Sequence, residues 1–127
     1  MIGYVMVGTN DLKRAETFYN AVLPVIGMQK HVGYSSESRT WYAPASGLPP
    51  MFVVTKTYDG NAATIGNGSM VALSADSREL VNKAHAKALD AGGTDEGAPG
   101  LRGAPFYGAY FRDLDGNKLA VFTVSPN

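Results

Sequence analysis

The sequence predicts an α+β fold made of two pseudo-symmetric βαβββ modules. A strand followed by an amphipathic helix occurs twice, and each member of the second copy lies 66 residues after its counterpart. The last strand of each half repeats as well, at an offset of 68. Neither half can cover a sheet on both faces alone, so the two halves must complete each other within one domain.

The first copy begins with an apolar strand at residues 4–7 and reaches Asp11, whose carboxylate can cap a helix. Apolar residues then follow at steps of three, four and three, which places them on one helix face: Ala15, Phe18, Val22 and Val25. Gly27 is suited to the end of this helix, because glycine readily adopts the left-handed conformation found there.

Three strand candidates rich in β-branched and aromatic residues follow, at residues 28–34, 38–43 and 51–57. The next segment, residues 58–68, contains three glycines and two asparagines and is interpreted as a linker. The predicted organisation is therefore a single domain with a first module at 1–57 and a second at 69–127.

The second copy starts with a strand at residues 70–73 and a cap at Ser77. Its helix face repeats the same spacing and is followed by Gly93: Val81, Ala84, Ala88 and Ala91. Residues 92–105 are interpreted as a loop, followed by strands at 106–112 and 118–124. The Asp-Gly-Asn sequence between these strands predicts a tight turn and hence a terminal hairpin.

Composition excludes several classes of function. Eleven basic and eleven acidic side chains give a formal net charge of zero, which does not favour a nucleic-acid or membrane partner. The chain has no cysteine, so a disulfide, a thiolate metal site and a cysteine nucleophile are excluded. No basic segment precedes an apolar run at the N-terminus, and no apolar stretch approaches 18 residues; we therefore expect a cytoplasmic location.

In these features the chain resembles the vicinal oxygen chelate superfamily, the glyoxalase, bleomycin-resistance and dioxygenase-like proteins. The segments that carry the resemblance span the chain: Thr9-Asn10-Asp11-Leu12, Phe18-Tyr19, Leu23 before Gly27, Ala91-Gly92-Gly93-Thr94, residues 97–102 and Arg112-Asp113-Leu114-Asp115-Gly116-Asn117. Leu114 replaces the proline that is usual in the last motif. The resemblance implies a mixed sheet that curls around a concave cavity, and a homodimer that sometimes exchanges modules.

Many members of this family hold a divalent metal with His or Glu side chains from the first and last strands of the modules. Carried over to this sequence, these positions are Tyr4, Phe52, Met70 and Ala120. None of the four is a good ligand for a divalent cation. The two histidines, His31 and His85, are interpreted as exposed or boundary residues rather than ligands. We therefore expect no metal and no other cofactor.

The resemblance and strand alternation together predict a cavity lined by apolar and aromatic side chains. Its predicted lining is Tyr4, Met6, Trp41, Phe52, Met70, Arg102, Tyr107, Tyr110, Ala120 and Phe122. Arg102 could bind an anionic group, and the alternative is that it is a solvated arginine in a loop. The aromatic residues could equally fill a core or a dimer interface.

Three classes of function remain open at this point. The first is a metal-free small-molecule-binding protein that sequesters a drug or metabolite, as antibiotic-resistance proteins of the family do. The second is a glyoxalase-like lyase, isomerase or dioxygenase-type enzyme that uses a tyrosine or a non-standard metal site. The third is an interaction domain. No nucleophile–base pair or paired carboxylates are evident, so the catalytic residues and the ligand stay unknown.

Overall fold

A computed structural model describes all of residues 1–127. The first half contains β1 (Tyr4–Gly8), α1 (Leu12–Val22), β2 (Met28–Lys30), β3 (Arg39–Pro44) and β4 (Met51–Thr55). A short 3-10 helix, Leu23–Ile26, extends α1. The second half contains β5 (Val71–Ser74), α2 (Arg78–Asp90), β6 (Thr94–Leu101), β7 (Tyr107–Arg112) and β8 (Lys118–Thr123). Neither helix combines the length and the apolar character that crossing a bilayer requires.

Each half forms its own four-stranded mixed sheet, and the two sheets have the same strand order. These orders are β1-β4-β3-β2 and β5-β8-β7-β6. In each sheet the first and last strands pair in parallel, and the other pairs are antiparallel. The predicted α+β fold of two βαβββ modules is thereby confirmed, and the sheets do not close into a barrel.

Both helices begin at the predicted caps. The side chain of Asp11 accepts a hydrogen bond from the Arg14 backbone N–H at 3.0 Å, and Ser77 accepts one from Leu80 at 3.2 Å. Gly27 follows the first helix with φ 85°, as expected. After α2 the left-handed residue is Gly92, with φ 98°, rather than Gly93.

Strand β6 lies within the segment that the sequence analysis interprets as a loop, and this interpretation is wrong. Its glycines and Pro99 are unfavourable in a central strand. The strand pairs only with β7, at the edge of the sheet, and its register shifts twice, between Asp95 and Gly97 and between Gly97 and Gly100. Irregular pairing of this kind is tolerated at edges, where one row of backbone groups faces solvent.

The core lies between the two sheets, where both helices pack. Helix α1 contacts both sheets: the Tyr19 ring lies 4.8 Å from that of Phe52 in β4, and Phe18 lies 6.2 Å from Phe111 in β7. One cluster of buried apolar residues includes members from both helices and both sheets. The helices occupy the inner face of each sheet, so no helix covers the opposite faces, and we call these the open faces.

Candidate functional site

The open face of the first sheet carries Tyr4, Met6 and Trp41. Met6 and Trp41 are both in register with Val53, so their side chains share one side of the sheet. Tyr4 is 52% exposed and Met6 is 42% exposed, whereas Trp41 is half-buried. These three predicted lining residues therefore lie together and face outward.

Aromatic rings extend across this face as a continuous surface. The Tyr4 and Trp41 ring centroids are 4.7 Å apart, and Tyr34 lies edge-on to Trp41 at 5.9 Å. His31 stacks on Tyr34 at 3.7 Å with an interplanar angle of 12°. We call these four residues the aromatic wall. Offset and edge-to-face ring pairs of this kind also bind flat ligands well.

Sequence reasoning missed Tyr34 and His31 as members of the aromatic wall. Both lie beyond the end of β2, where the chain leaves the sheet and strand alternation no longer applies. A local hydrogen bond from the Tyr34 backbone N–H to Nδ1 of His31, 3.1 Å long, orients the imidazole ring. The one sequence signal for this contact is the three-residue spacing of His31 and Tyr34, which brings two rings together when the chain turns.

The open face of the second sheet combines apolar and basic residues. Ala120 lies opposite both Ala72 and Tyr110, and Phe122 stacks on Phe106 at 4.9 Å. Met70, just before β5, is 46% exposed. The guanidinium carbon of Arg102 lies 5.5 Å from the Tyr110 ring centroid, and Nζ of Lys118 lies 5.7 Å from it. We call Tyr110, Arg102 and Lys118 the basic face.

Two predicted lining residues are not on an open face. Phe52 is fully buried against Tyr19, because it is in register with Val5 and shares the helix-facing side of the sheet. Tyr107 also faces a helix: its hydroxyl donates to Oδ1 of Asn82 in α2 at 2.7 Å, and Arg78 lies over its ring. Tyr107 and Tyr110 are three residues apart, so alternation alone requires them to lie on opposite faces.

The residues at the positions where the resemblance implies metal ligands do not fit a metal. Tyr4 and Met70 lie on the open faces, Phe52 is in the core, and Ala120 offers only a methyl group. Nowhere in the chain do three or more His, Cys, Asp or Glu side chains come together in a way that could hold an ion. A divalent cation needs several oxygen, nitrogen or thiolate donors, which these positions do not supply.

The remaining polar contacts join the modules or the elements within a module. The Tyr19 hydroxyl donates to Oδ2 of buried Asp113 at 2.6 Å, and burial raises the pKa of Tyr19 well above its usual value. The Lys30 ammonium, 2.8 Å from Glu16, lowers the pKa of that carboxyl. His85 is almost fully buried and pairs with exposed Asp95 at 3.0 Å. None of these groups belongs to an open face, so we assign them structural roles.

The recesses formed by one chain do not include the aromatic wall. The largest, about 790 Å³, is lined mainly by polar residues around the start of α1. An apolar recess of about 550 Å³ lies beside the edge strands β1 and β5 and reaches Phe52. Neither contains Trp41 or Tyr110.

Comparison with known proteins agrees with this architecture. Residues 1–121 match the family model described as the Glyoxalase/Bleomycin resistance protein/Dioxygenase superfamily. A glyoxalase/bleomycin resistance protein from Albidiferax ferrireducens is 38% identical with a TM-score of 0.85, covering 97% of this chain and 98% of that one.

Two further solved structures show the same fold at lower identity. A glyoxalase/bleomycin resistance protein/dioxygenase family enzyme from Burkholderia phytofirmans is 21% identical, with a TM-score of 0.76 and coverage of 97% and 98%. An integron cassette protein from V. cholerae is 23% identical, with a TM-score of 0.66 and coverage of 98% and 95%. No curated protein matches the sequence significantly.

Proposed function

We propose a function for this chain from the premise that it belongs to the Glyoxalase/Bleomycin resistance protein/Dioxygenase superfamily. The chain binds a small molecule without a metal, in a cavity lined by the aromatic wall, and sequesters a drug or metabolite. The observation that carries this proposal is the aromatic wall itself, four rings in contact on a face that nothing in the chain covers.

A contiguous cluster of exposed aromatic rings is typical of a surface that binds a ligand or a partner. Tyr4 and Tyr34 are both about half exposed, at 52% and 49%, and Trp41 lies between them. Each good aromatic contact with a flat ligand contributes roughly 0.5–1.5 kcal/mol beyond the area it buries. Apolar linings with a few polar tips are typical of small-molecule sites. The tips here are the two phenol hydroxyls and the free Nε2 of His31.

A second copy of the chain supplies the opposite side of the cavity in this proposal. The helices pack on the inner face of each sheet, so no helix covers the aromatic wall or the basic face in one chain. In a homodimer the aromatic wall of one protomer faces the basic face of its partner. The exposed methionines Met6 and Met70 on the two open faces support this arrangement, because their burial favours association.

Sequestration is favoured over metal-dependent chemistry by the donor set. The positions where the resemblance implies cation ligands carry a phenol, a phenyl ring, a thioether and a methyl group. Neither open face carries two paired carboxylates or a nucleophile next to a base. Acid–base chemistry that needs two cooperating groups therefore has no candidates there.

The proposal predicts that Trp41→Ala weakens ligand binding more than it lowers stability. The neutral fluorophore phenylnaphthylamine, which brightens in apolar sites, serves as the probe. We expect its Kd to rise about tenfold, because one face of the stack is lost. Thermal unfolding of the same variant should change little, since Trp41 is only half-buried. The matched control is Tyr58→Ala, which removes a fully exposed ring in the linker.

Two outcomes contradict the proposal. If Trp41→Ala lowers the melting temperature strongly and leaves probe binding unchanged, Trp41 is a structural residue and the aromatic wall is not a site. If Ni²⁺, Zn²⁺ or Mn²⁺ specifically raises the melting temperature of the wild-type protein, the metal-free part of the proposal is wrong.

A further inference from the structure

The basic face, which forms the second wall of the proposed cavity, carries more positive than negative charge, although the chain as a whole is neutral. Arg102 and Lys118 both lie within 6 Å of the Tyr110 ring centroid, at 5.5 and 5.7 Å. Arg112 is also half-buried nearby, but Glu96 pairs with it through Nε. Neither Arg102 nor Lys118 forms an ion pair of its own, although the positive charge of Lys118 also acts on Glu96.

Arg102 is held in place by features of strand β6. Its Nη2 donates to the Ala98 carbonyl oxygen at 2.6 Å, which folds the side chain back along the strand. The strand has glycine where the guanidinium passes: a Cβ at Gly97 would lie 3.2 Å from Nη2, and one at Gly100 would lie 3.1 Å from Nη1. A Cβ at Gly97 would also meet the Tyr110 ring at 2.9 Å. The guanidinium is thus pre-organised beside Tyr110, with its remaining N–H groups free to donate.

The ammonium group of Lys118 has no hydrogen bond and no ion pair within the chain, although the residue is half-buried. It borders a recess of about 650 Å³ that also contains Arg112 and Met70. No acidic residue lines that recess. An ammonium group that is partly withdrawn from water and unpaired attracts an anion, since the pair is less screened there than in bulk solvent.

We propose that the ligand is a flat apolar molecule that carries an anionic group such as a carboxylate. This inference rests on the proposed function and names its ligand class. The apolar body stacks on the aromatic wall of one protomer, and the anionic group binds Lys118 and Arg102 of the other. Binding of cationic drugs is disfavoured, because neither the aromatic wall nor the basic face has an unpaired carboxylate. The basic face also repels a positive charge.

The test compares two probes that share one ring system. Anilinonaphthalene sulfonate carries a sulfonate that the neutral phenylnaphthylamine lacks. Wild-type protein should bind the anionic probe about tenfold more tightly, and Lys118→Met should remove most of this difference, since a charge-assisted hydrogen bond is lost. Affinity for the neutral probe should stay within about twofold of wild type in the same variant.

Matched variants separate a local effect from a general one. Lys83→Met removes one exposed lysine from the middle of α2 and changes the net charge equally, so it should leave both affinities unchanged. Lys118→Arg should retain the preference for the anionic probe. Arg102→Met should weaken the anionic probe about tenfold as well, because it removes a pre-organised donor. Added NaCl should weaken binding of the anionic probe only.

The outcomes distinguish this inference from the proposed function. If both probes bind with equal affinity and Lys118→Met changes neither, the anionic ligand class is wrong and the binding function stands. If Lys83→Met matches Lys118→Met, the effect is one of net charge, and the inference is overturned. If wild-type protein binds neither probe, the proposed function fails and this inference fails with it.

Discussion

Tyr19 is a residue on which the contact between the two modules depends. Its ring is fully buried against Phe52, and its hydroxyl reaches across to Asp113 in the turn between β7 and β8. The carboxylate of Asp113 also accepts from the backbone N–H groups of Asp115 and Asn117, so the same side chain shapes the turn. One hydrogen bond thus joins α1 of the first module to the terminal hairpin of the second.

Tyr19→Phe should lower the free energy of unfolding at neutral pH by about 1.5–3 kcal/mol, because a buried acceptor loses its hydroxyl donor. Tyr42→Phe is the control: its hydroxyl donates to the neutral side chain of Asn20 at 2.9 Å, and its loss should cost less, about 0.5–1.5 kcal/mol. Urea denaturation of the three proteins measures both differences. Equal losses would mean that Asp113 does not strengthen the Tyr19 hydrogen bond.

The same pair predicts a dependence on alkaline pH. Burial raises the pKa of Tyr19 in the folded protein, so its stabilising effect is complete below the unfolded-state pKa, near 10. The effect is then lost as the pH rises further, because the unfolded state releases the proton more easily. The stability difference between wild type and Tyr19→Phe should therefore shrink above about pH 10. A stability difference that stays constant up to about pH 11.5 would contradict the raised pKa of Tyr19.

At the scale of elements, the end of α2 packs closely against two other elements. A Cβ added at Gly93 would lie 2.8 Å from the Ala88 carbonyl oxygen and 2.8 Å from that of Arg112. It would also lie 3.1 Å from the Phe18 ring of α1. Three elements, α2, β7 and α1, meet at this position. The glycine permits their approach by its lack of a side chain rather than by its backbone conformation, since its φ is not positive.

Gly93→Ala should destabilise the protein by about 1–3 kcal/mol, because overpacking against backbone atoms has no low-energy relaxation. Gly3→Ala is the matched control: nothing lies within 4 Å of its Cβ position, and its φ is not positive either. Thermal and urea unfolding of both variants measure the contrast. A Gly93→Ala protein as stable as the control would mean that the three elements can separate at little cost.

At the scale of the whole molecule, the placement of the helices between the sheets decides what one chain can do. The helices cover both inner faces, and none of the main recesses of a single chain contains both Trp41 and Tyr110. The proposed cavity therefore takes one wall from each of two protomers. This arrangement makes a prediction that a cavity built within one chain does not share.

Mixing two binding-deficient variants should restore binding. Trp41→Ala impairs the aromatic wall and Tyr110→Ala impairs the basic face. The homodimer of either variant therefore binds phenylnaphthylamine weakly. After unfolding and refolding together, a mixed dimer has one cavity with both substitutions and one with neither, so up to about half of its sites should regain wild-type affinity. Light scattering establishes the dimer, and fluorescence titration measures the sites. Absence of any recovery in a mixture shown to contain mixed dimers would contradict the shared cavity.

The local pattern of the sequence was sufficient for the elements other than β6 and for part of the two faces. The repeat at 66 residues, the caps at Asp11 and Ser77 and the turn before Asn117 depend on contacts between near neighbours, and the structure contains each of them. Alternation placed Tyr4 and Met6 on the same face, since a strand has a period of two whatever surrounds it, but it could not say which of the other aromatic residues join them.

Three features depended on packing that local pattern does not encode. Strand β4 is apolar along most of its length and buried on both faces, so periodicity could not show that Phe52 faces the helix. Strand β6 forms only because β7 offers it an edge, despite unfavourable glycines and a proline. His31 joins the aromatic wall through a turn that follows a three-residue strand.

The sequence by itself determined the two modules, their order and which residues alternate along each strand, because these follow from backbone geometry and hydrophobic period. Only the tertiary structure decided that the helices pack on the inner faces of both sheets, which leaves Trp41 and Tyr110 on faces that no helix covers. The physical reason is that an apolar helix face specifies burial but not the surface that buries it. Phe18 of α1 contacts Phe111 of the other module, and that choice is made by long-range packing.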